Sequence, residues 1–172
     1  LLARYALRDA YVQFYFKFIK PIARDIDEGR FERQPTQALQ MAAFQQWIGY
    51  AFERFCRQNS HKIAALLGFG AVQYKSGSFF DRKTEQKQKG FQIDLLFQRA
   101  DRVWTICEIK YSRQPVGREV IDEMETKIKN FVIPKNVSLQ RVLIAPFGVQ
   151  PGLKKELYFD RVLLLGDLFR MG

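Results

Sequence analysis

Two carboxylates and a lysine stand in neighbouring segments near the middle of the chain, in a pattern suited to phosphodiester chemistry. Asp94 lies in the segment 90–97, and Glu108, Ile109 and Lys110 lie in the next one. Phosphodiester cleavage needs a divalent cation, an activated water and charge stabilisation in the transition state. Asp94 and Glu108 supply the oxygen ligands that Mg²⁺ prefers, and the Ile109 carbonyl could supply a third. Lys110 could orient or deprotonate the water and stabilise the developing negative charge.

These residues belong to a predicted β-hairpin. Both segments alternate apolar and polar residues, as strands do, and residues 100–102 can form a three-residue loop between them. In that register Asp94 faces Glu108, with Cβ atoms about 4.5–5.5 Å apart, and Lys110 lies on the same face. Because Trp104 also shares this face, we expect it to be covered, where unpartnered acids are costly. The alternative is an ordinary salt bridge between Glu108 and Lys110.

Helical and strand patterns on both sides of the hairpin predict the elements that position it. Residues 5–19 read as an aromatic-rich helix that Pro21 ends or kinks. An amphipathic helix over 118–131 should bury Val120 and Met124 and expose Glu123 and Lys127. The order predicts an α/β fold, with a mixed central sheet flanked by helices. The remaining predicted elements are a helix over 36–67 and strands near 71–74, 78–81, 142–145 and 161–165.

The composition of the chain favours some classes of partner and site and argues against others. The chain has 172 residues, 47% of them hydrophobic, and a formal net charge of +10. This charge favours an anionic partner, with nucleic acid preferred to a membrane, and the part between 61 and 113 is the most basic. Cys56 and Cys107 lie in apolar patterns and indicate reduced core residues of a cytoplasmic protein. One histidine, His61, argues against a typical zinc site or a Ser-His-Asp triad. The start at Leu1 suggests a fragment of a longer protein.

The motif formed by Asp94 and the triplet Glu108-Ile109-Lys110 resembles the core of the PD-(D/E)XK nuclease superfamily. That resemblance implies a restriction-endonuclease-like αβββαβ core and a Mg²⁺- or Mn²⁺-dependent endonuclease. It also implies a role for Glu53, which matches an acid that the first core helix often contributes to the metal site. An ordinary helix-surface acid is the alternative for Glu53.

A narrower resemblance covers almost the whole chain. Residues 5–21, then Phe52-Glu53 and the nuclease-like core, are similar to the C-terminal region of a family of archaeal and bacterial AAA-type ATPases. This implies that residues 1–35 link to a missing upstream ATPase and winged-helix part, and that residues 36–172 are the nuclease-like domain. The chain departs from that family at Gln92, where an acid is frequent, and in the basic loop before it. It contains no P-loop, so no nucleotide site is expected here.

Nucleic-acid contact is predicted at a basic rim that leads into the aspartate strand and follows the lysine strand. Such residues bind backbone phosphates with little sequence readout, and DNA is favoured over RNA. They are Lys75, Arg82, Lys83, Lys87, Lys89, Arg113 and Arg118.

Three functions remain open at the level of sequence. The first is a metal-dependent nuclease acting on DNA. The second is a domain of the same fold that no longer cuts and anchors the ATPase on nucleic acid. The third is a protein-interaction or oligomerisation domain, supported by the 15% aromatic content and the aromatic cluster in 11–18. Homo-oligomer formation is compatible with each of them.

Overall fold

The computed structural model describes residues 9–81 and 90–170. It separates into two compact units, Leu1–Ala51 and Phe52–Gly172. Within the described residues no helix is long and apolar enough to cross a membrane. The fold is the predicted mixed α/β arrangement, with an N-terminal helical segment rich in aromatic residues.

The N-terminal unit is a chain of short helical turns. Asp9 caps the first helix, where its side chain accepts a hydrogen bond from the Val12 N–H at 2.8 Å. The prediction that Pro21 ends or kinks the first helix is confirmed, because the π-helical turn ends at Ile19, Pro21 lies in a 3₁₀ turn and a new helix begins at Ala23. Proline removes a backbone donor and its ring clashes with the preceding turn, so the regular helix cannot continue through it. The elements are α1 (Ala10–Phe14), a π-helical turn (Tyr15–Ile19), 3₁₀ turns (Lys20–Ile22 and Pro35–Ala38), α2 (Ala23–Asp27) and the start of α3 (Met41–Gln58).

Aromatic packing holds this unit together. Phe14, Phe18, Phe44 and Trp47 form a cluster with ring centroids 5.3–6.3 Å apart. Some of the aromatic side chains of the opening segment therefore pack inside this unit, since Phe18 is buried. Tyr11 and Phe16 remain exposed.

The second unit follows the predicted αβββαβ order. The helix predicted over 36–67 is divided, because α3 ends at Gln58 and a new helix begins at Ser60. The two short strands predicted near 71–81 are one continuous strand. The elements of the second unit are the end of α3, α4 (Ser60–Leu66), β1 (Tyr74–Asp81), β2 (Phe91–Arg99), β3 (Val103–Ile109), α5 (Glu119–Asn130), β4 (Ser138–Ile144), α6 (Pro151–Lys155), β5 (Arg161–Leu163) and α7 (Leu165–Phe169).

The sheet has the order β1-β2-β3-β4-β5, with antiparallel pairing up to β3 and parallel pairing beyond it. Helix α5 makes the crossover that the parallel β3–β4 pair requires. One face packs Cys107 and Ile109 against the core that contains Phe52 and Ile63. The other face packs Ile106 against Met124 of α5, and Glu108 belongs to this second face.

Candidate active site

The predicted hairpin register is confirmed over most of its length. The paired residues run from Leu95 opposite Cys107 to Gln98 opposite Trp104, and the loop between the strands is the expected three residues. Arg102 closes the loop with a φ of 63°, the left-handed conformation that such loops use. Asp94 and Glu108 lie just beyond the last pair, where the ladder ends.

An irregularity in β2 sets the position of Asp94. Between Gly77 and Phe79 of β1 the register shifts, and the partners of these residues on β2 are Leu96 and Ile93. Strand β2 therefore carries an extra residue at 94–95, as in a β-bulge, a device that re-aims side chains beside active sites. The predicted strict alternation is wrong here, because Ile93 joins Leu96 in the core under α5 while Leu95 faces the opposite core.

The Asp94 carboxylate occupies a backbone hydrogen-bonding position that the ladder leaves open. Its Oδ2 accepts the N–H of Ile109 at 3.1 Å, and its Oδ1 accepts the Gln92 side-chain amide at 3.2 Å. Asp94 is only 7% exposed. The aspartate thus ties the end of β2 to β3 and also presents its remaining lone pairs beside Glu108.

Glu108 is a buried carboxylate whose partners are lysines. It is 1% exposed, and its Oε2 lies 2.5 Å from the Lys127 ammonium, which also lies 3.9 Å from Asp94 Oδ2. Burial, reinforced by the charge of Asp94, raises the pKa of Glu108 above its usual value, although Lys127 and Lys110 act in the opposite direction. The site therefore favours any further positive charge close to this carboxylate.

Lys110 is held between two acids. Its ammonium lies 3.4 Å from Glu108 Oε1 and is paired with Glu123 of α5. Burial acts to lower the pKa of Lys110, but the hydrogen bond from its ammonium to Glu123 and the charges of Glu108 and Glu123 outweigh it and raise the pKa. In this arrangement the lysine is a fixed positive charge at neutral pH, whereas a general base would need a lowered pKa.

Glu53 reaches the same place from α3. It pairs with Arg57 at 3.3 Å, and Arg57 in turn donates to the backbone oxygen of Asp94 at 3.4 Å. Burial and the charge of Asp94 raise the pKa of Glu53, against the effect of Arg57. The structure therefore places the helix acid within electrostatic reach of the aspartate.

All the predicted catalytic and metal-binding residues line one open cleft of about 620 Å³. They are Glu53, Asp94, Glu108, Ile109 and Lys110. Across residues 9–81 and 90–170, no three His, Cys, Asp or Glu side chains are grouped closely enough to hold a metal ion alone. The donor set fits Mg²⁺ or Mn²⁺ held by two carboxylates with water and substrate oxygens, and does not fit a closed protein cage.

The cleft lies within a region that matches a known family. The model of DUF234, described as archaea bacterial proteins of unknown function, matches residues 15–132, which is more than half of the chain. The chain belongs to the DUF234 family. The matched region contains the cleft-lining residues Glu53, Asp94, Glu108, Lys110 and Lys127.

The solved structure of AF1548, a protein of unknown function, is 20% identical to this DUF234 chain, with a TM-score of 0.40. The alignment covers 62% of this chain and 55% of AF1548, so the chain spans about half the length of that protein. A search of curated proteins found no match.

The predicted nucleic-acid residues that the structure of this DUF234 chain describes do not form one cluster. Lys75 is exposed on β1 opposite Gln98, four residues along β2 from Asp94, or about 13 Å at strand spacing. Arg118 is exposed at the start of α5 and pairs with Glu156 at 3.3 Å, while Arg113 is exposed in the preceding loop. Arg82, Lys83, Lys87 and Lys89 lie outside the described residues.

Two residues of α5 complete the cleft and were assigned to the solvent side from sequence. Lys127 was predicted to be exposed, but its side chain is 17% exposed and contacts Glu108. Glu123 is exposed, as predicted, and it also pairs with Lys110. Their i, i+4 spacing beside the buried positions Val120 and Met124 is the signal that could have identified them, since this spacing places both on one strip of the helix.

Proposed function

We propose that this DUF234 chain is a metal-dependent nuclease domain that hydrolyses DNA phosphodiester bonds. The observation that carries the proposal is the meeting of two buried carboxylates, Asp94 and Glu108, with Lys110 in one open cleft. Phosphodiester hydrolysis uses oxygen ligands for a divalent cation, which the two acids would supply, and a positive charge near the phosphate, which the lysine would supply. The αβββαβ order and the resemblance to PD-(D/E)XK nucleases support the same reaction.

In this proposal Asp94 and Glu108 hold Mg²⁺ or Mn²⁺, with the Ile109 carbonyl as a further ligand and Glu53 supporting the site. When bound, the cation would polarise the phosphate and activate a water. Asp94 is already oriented by two hydrogen bonds, from Ile109 N–H and from Gln92, so its carboxylate needs little reorganisation to bind.

The protein's own cation completes the chemistry. Lys110 is protonated in its surroundings, so it stabilises the negative charge that develops on the phosphate in the transition state. Glu123 orients this ammonium from α5, as outer partners commonly orient catalytic groups. The water loses its proton to bulk solvent or to a substrate phosphate rather than to Lys110.

The wider setting is also part of the proposal. The net charge of +10 supports an anionic nucleic-acid partner, and DNA is preferred to RNA. Residues 1–35 would connect the nuclease domain to an upstream ATPase module in a longer cytoplasmic protein, as the resemblance to ATPase C-terminal regions suggests. Homo-oligomer formation remains compatible with this arrangement.

A second candidate is a domain of the same fold that binds nucleic acid without cutting it. One observation favours it: Lys127 already compensates Glu108 at 2.5 Å, so the carboxylates have a partner without any metal. In that case the acids and lysines form a structural ion-pair network, and the basic surface anchors the protein.

A paired cleavage and binding assay separates the two. Supercoiled plasmid and single-stranded DNA are incubated with Mn²⁺, Mg²⁺ or EDTA and with wild type, Asp94→Asn or Lys110→Met; salt-dependent DNA binding is measured in parallel. The nuclease proposal expects metal-dependent cutting that both variants lose while they retain binding. Salt-sensitive binding without cutting under every metal condition would favour the second candidate and contradict the first.

A further inference from the structure

The Lys127 ammonium stands where a metal ion would have to bind. It lies 2.5 Å from Glu108 Oε2 and 3.9 Å from Asp94 Oδ2, so it bridges the two proposed metal ligands. It reaches them from α5, far along the chain from the hairpin, and its side chain is 17% exposed. A lysine at this position was not expected from the motif.

An ammonium and a divalent cation cannot share this position. Mg²⁺ binds carboxylate oxygens at about 2.0–2.1 Å, so an ion on Glu108 Oε2 would lie within the space of the Lys127 ammonium and repel its charge. The ammonium must therefore leave before a metal can enter. Its long flexible stem allows this, because the side chain is not fully enclosed.

Two neighbouring acids of the cleft are already paired with cations other than Lys127. Glu123, one turn earlier on α5, is already paired with Lys110, and Glu53 is paired with Arg57. Within the described part of the cleft, the carboxylates that lie nearest to the ammonium are thus the two it already bridges. The displaced charge has to move towards the open mouth of the cleft, where an anionic substrate would bind.

We propose that Lys127 is a tethered cation that competes with the divalent metal for Asp94 and Glu108 and so sets the metal affinity of the site. This rests on the proposed function for the identity of the ligands, but it is a statement about metal affinity and not about cleavage. It assigns to α5 the control of metal loading, a role separate from that of Lys110.

The test is isothermal titration calorimetry with Mn²⁺ in the absence of nucleic acid. Partners outside the ligand shell commonly change metal affinity by about 10–100-fold, so we expect Lys127→Met to bind Mn²⁺ at least about tenfold more tightly than wild type. Lys127→Arg keeps the charge and should show no gain. Lys129→Met removes an exposed lysine from the same helix and should match wild type. If Lys127→Met is not folded by circular dichroism, Lys127→Gln takes its place.

The outcomes also separate this inference from the proposed nuclease activity. Tighter Mn²⁺ binding by the Lys127 variant upholds the competition whether or not wild type cuts DNA. Equal or weaker binding by the variant, or no binding by either protein, overturns it even if wild type is an active nuclease. A gain shown equally by Lys129→Met would also overturn it, because it would reflect net charge alone.

Discussion

Replacing Asp94 by alanine should destabilise the protein, although it removes a buried charge. A carboxylate present only for metal binding would be a burden on the fold, and its removal would raise stability. Asp94 differs because its Oδ2 accepts the backbone N–H of Ile109, a residue 4% exposed. Truncation leaves that donor buried without an acceptor, and Gln92 loses its partner.

The magnitude follows from these lost contacts. An unsatisfied buried donor costs about 1–3 kcal/mol, and the loss of the second hydrogen bond keeps the total in the upper part of that range. We therefore expect about 2–3 kcal/mol lower stability in Asp94→Ala. For a chain of this size the melting temperature should fall by roughly 4–12 °C.

Urea denaturation followed by circular dichroism measures this change. Asp122→Ala is the matched control, because Asp122 also lines the cleft but is exposed on the first turn of α5; its stability should stay within about 0.5 kcal/mol of wild type. An Asp94→Ala protein as stable as wild type, or more stable, would refute the structural role assigned to this carboxylate. It would also remove the reason to prefer Asp94→Asn in activity assays.

Two further predictions concern buried titratable groups. Burial, followed by the charge of Asp94, raises the pKa of Glu108 above its usual value of 4.5. Above the raised pKa, the ionised Glu108 therefore lowers the free energy of unfolding. This loss of stability disappears as the pH falls through the raised pKa. Glu108→Gln should therefore have a higher urea midpoint than wild type at pH 8 and lose this advantage towards pH 4.5; a constant difference would contradict the shift. Burial also raises the pKa of Cys56 to about 12 and that of Cys107 well above its usual value. Neither thiol should react with Ellman's reagent at pH 8 until urea unfolds the protein, and rapid labelling of the native protein would contradict their burial.

The hairpin could be predicted from sequence because its information is local. Alternation along β2 and β3 and a three-residue loop ending at Arg102 fix the register, and this register brings Glu108 and Lys110 onto the face under α5. Amphipathic periodicity likewise placed α5 to within one residue at each end.

The remaining details depend on contacts between elements that are distant in sequence. The irregularity at Asp94 arises from pairing between β1 and β2, and no residue type in β2 announces it. Lys127 was assigned to solvent because a helical wheel ranks it among the polar positions; only the packing of α5 across the sheet brings its ammonium to Glu108. The i, i+4 spacing of Glu123 and Lys127 places both on one strip of α5, but which acids that strip contacts depends on the tertiary packing.

The most direct measurement is the rate of nicking of supercoiled plasmid by wild type and by Lys110→Met in saturating Mn²⁺, with Lys129→Met as the control. Because removal of a positioned charge-stabilising group costs about 10²–10³-fold in rate, Lys110→Met should be slower by at least about 100-fold, while Lys129→Met should match wild type. Equal rates for wild type and Lys110→Met, or nicking that persists in EDTA, would contradict a metal-dependent nuclease built on Asp94, Glu108 and Lys110.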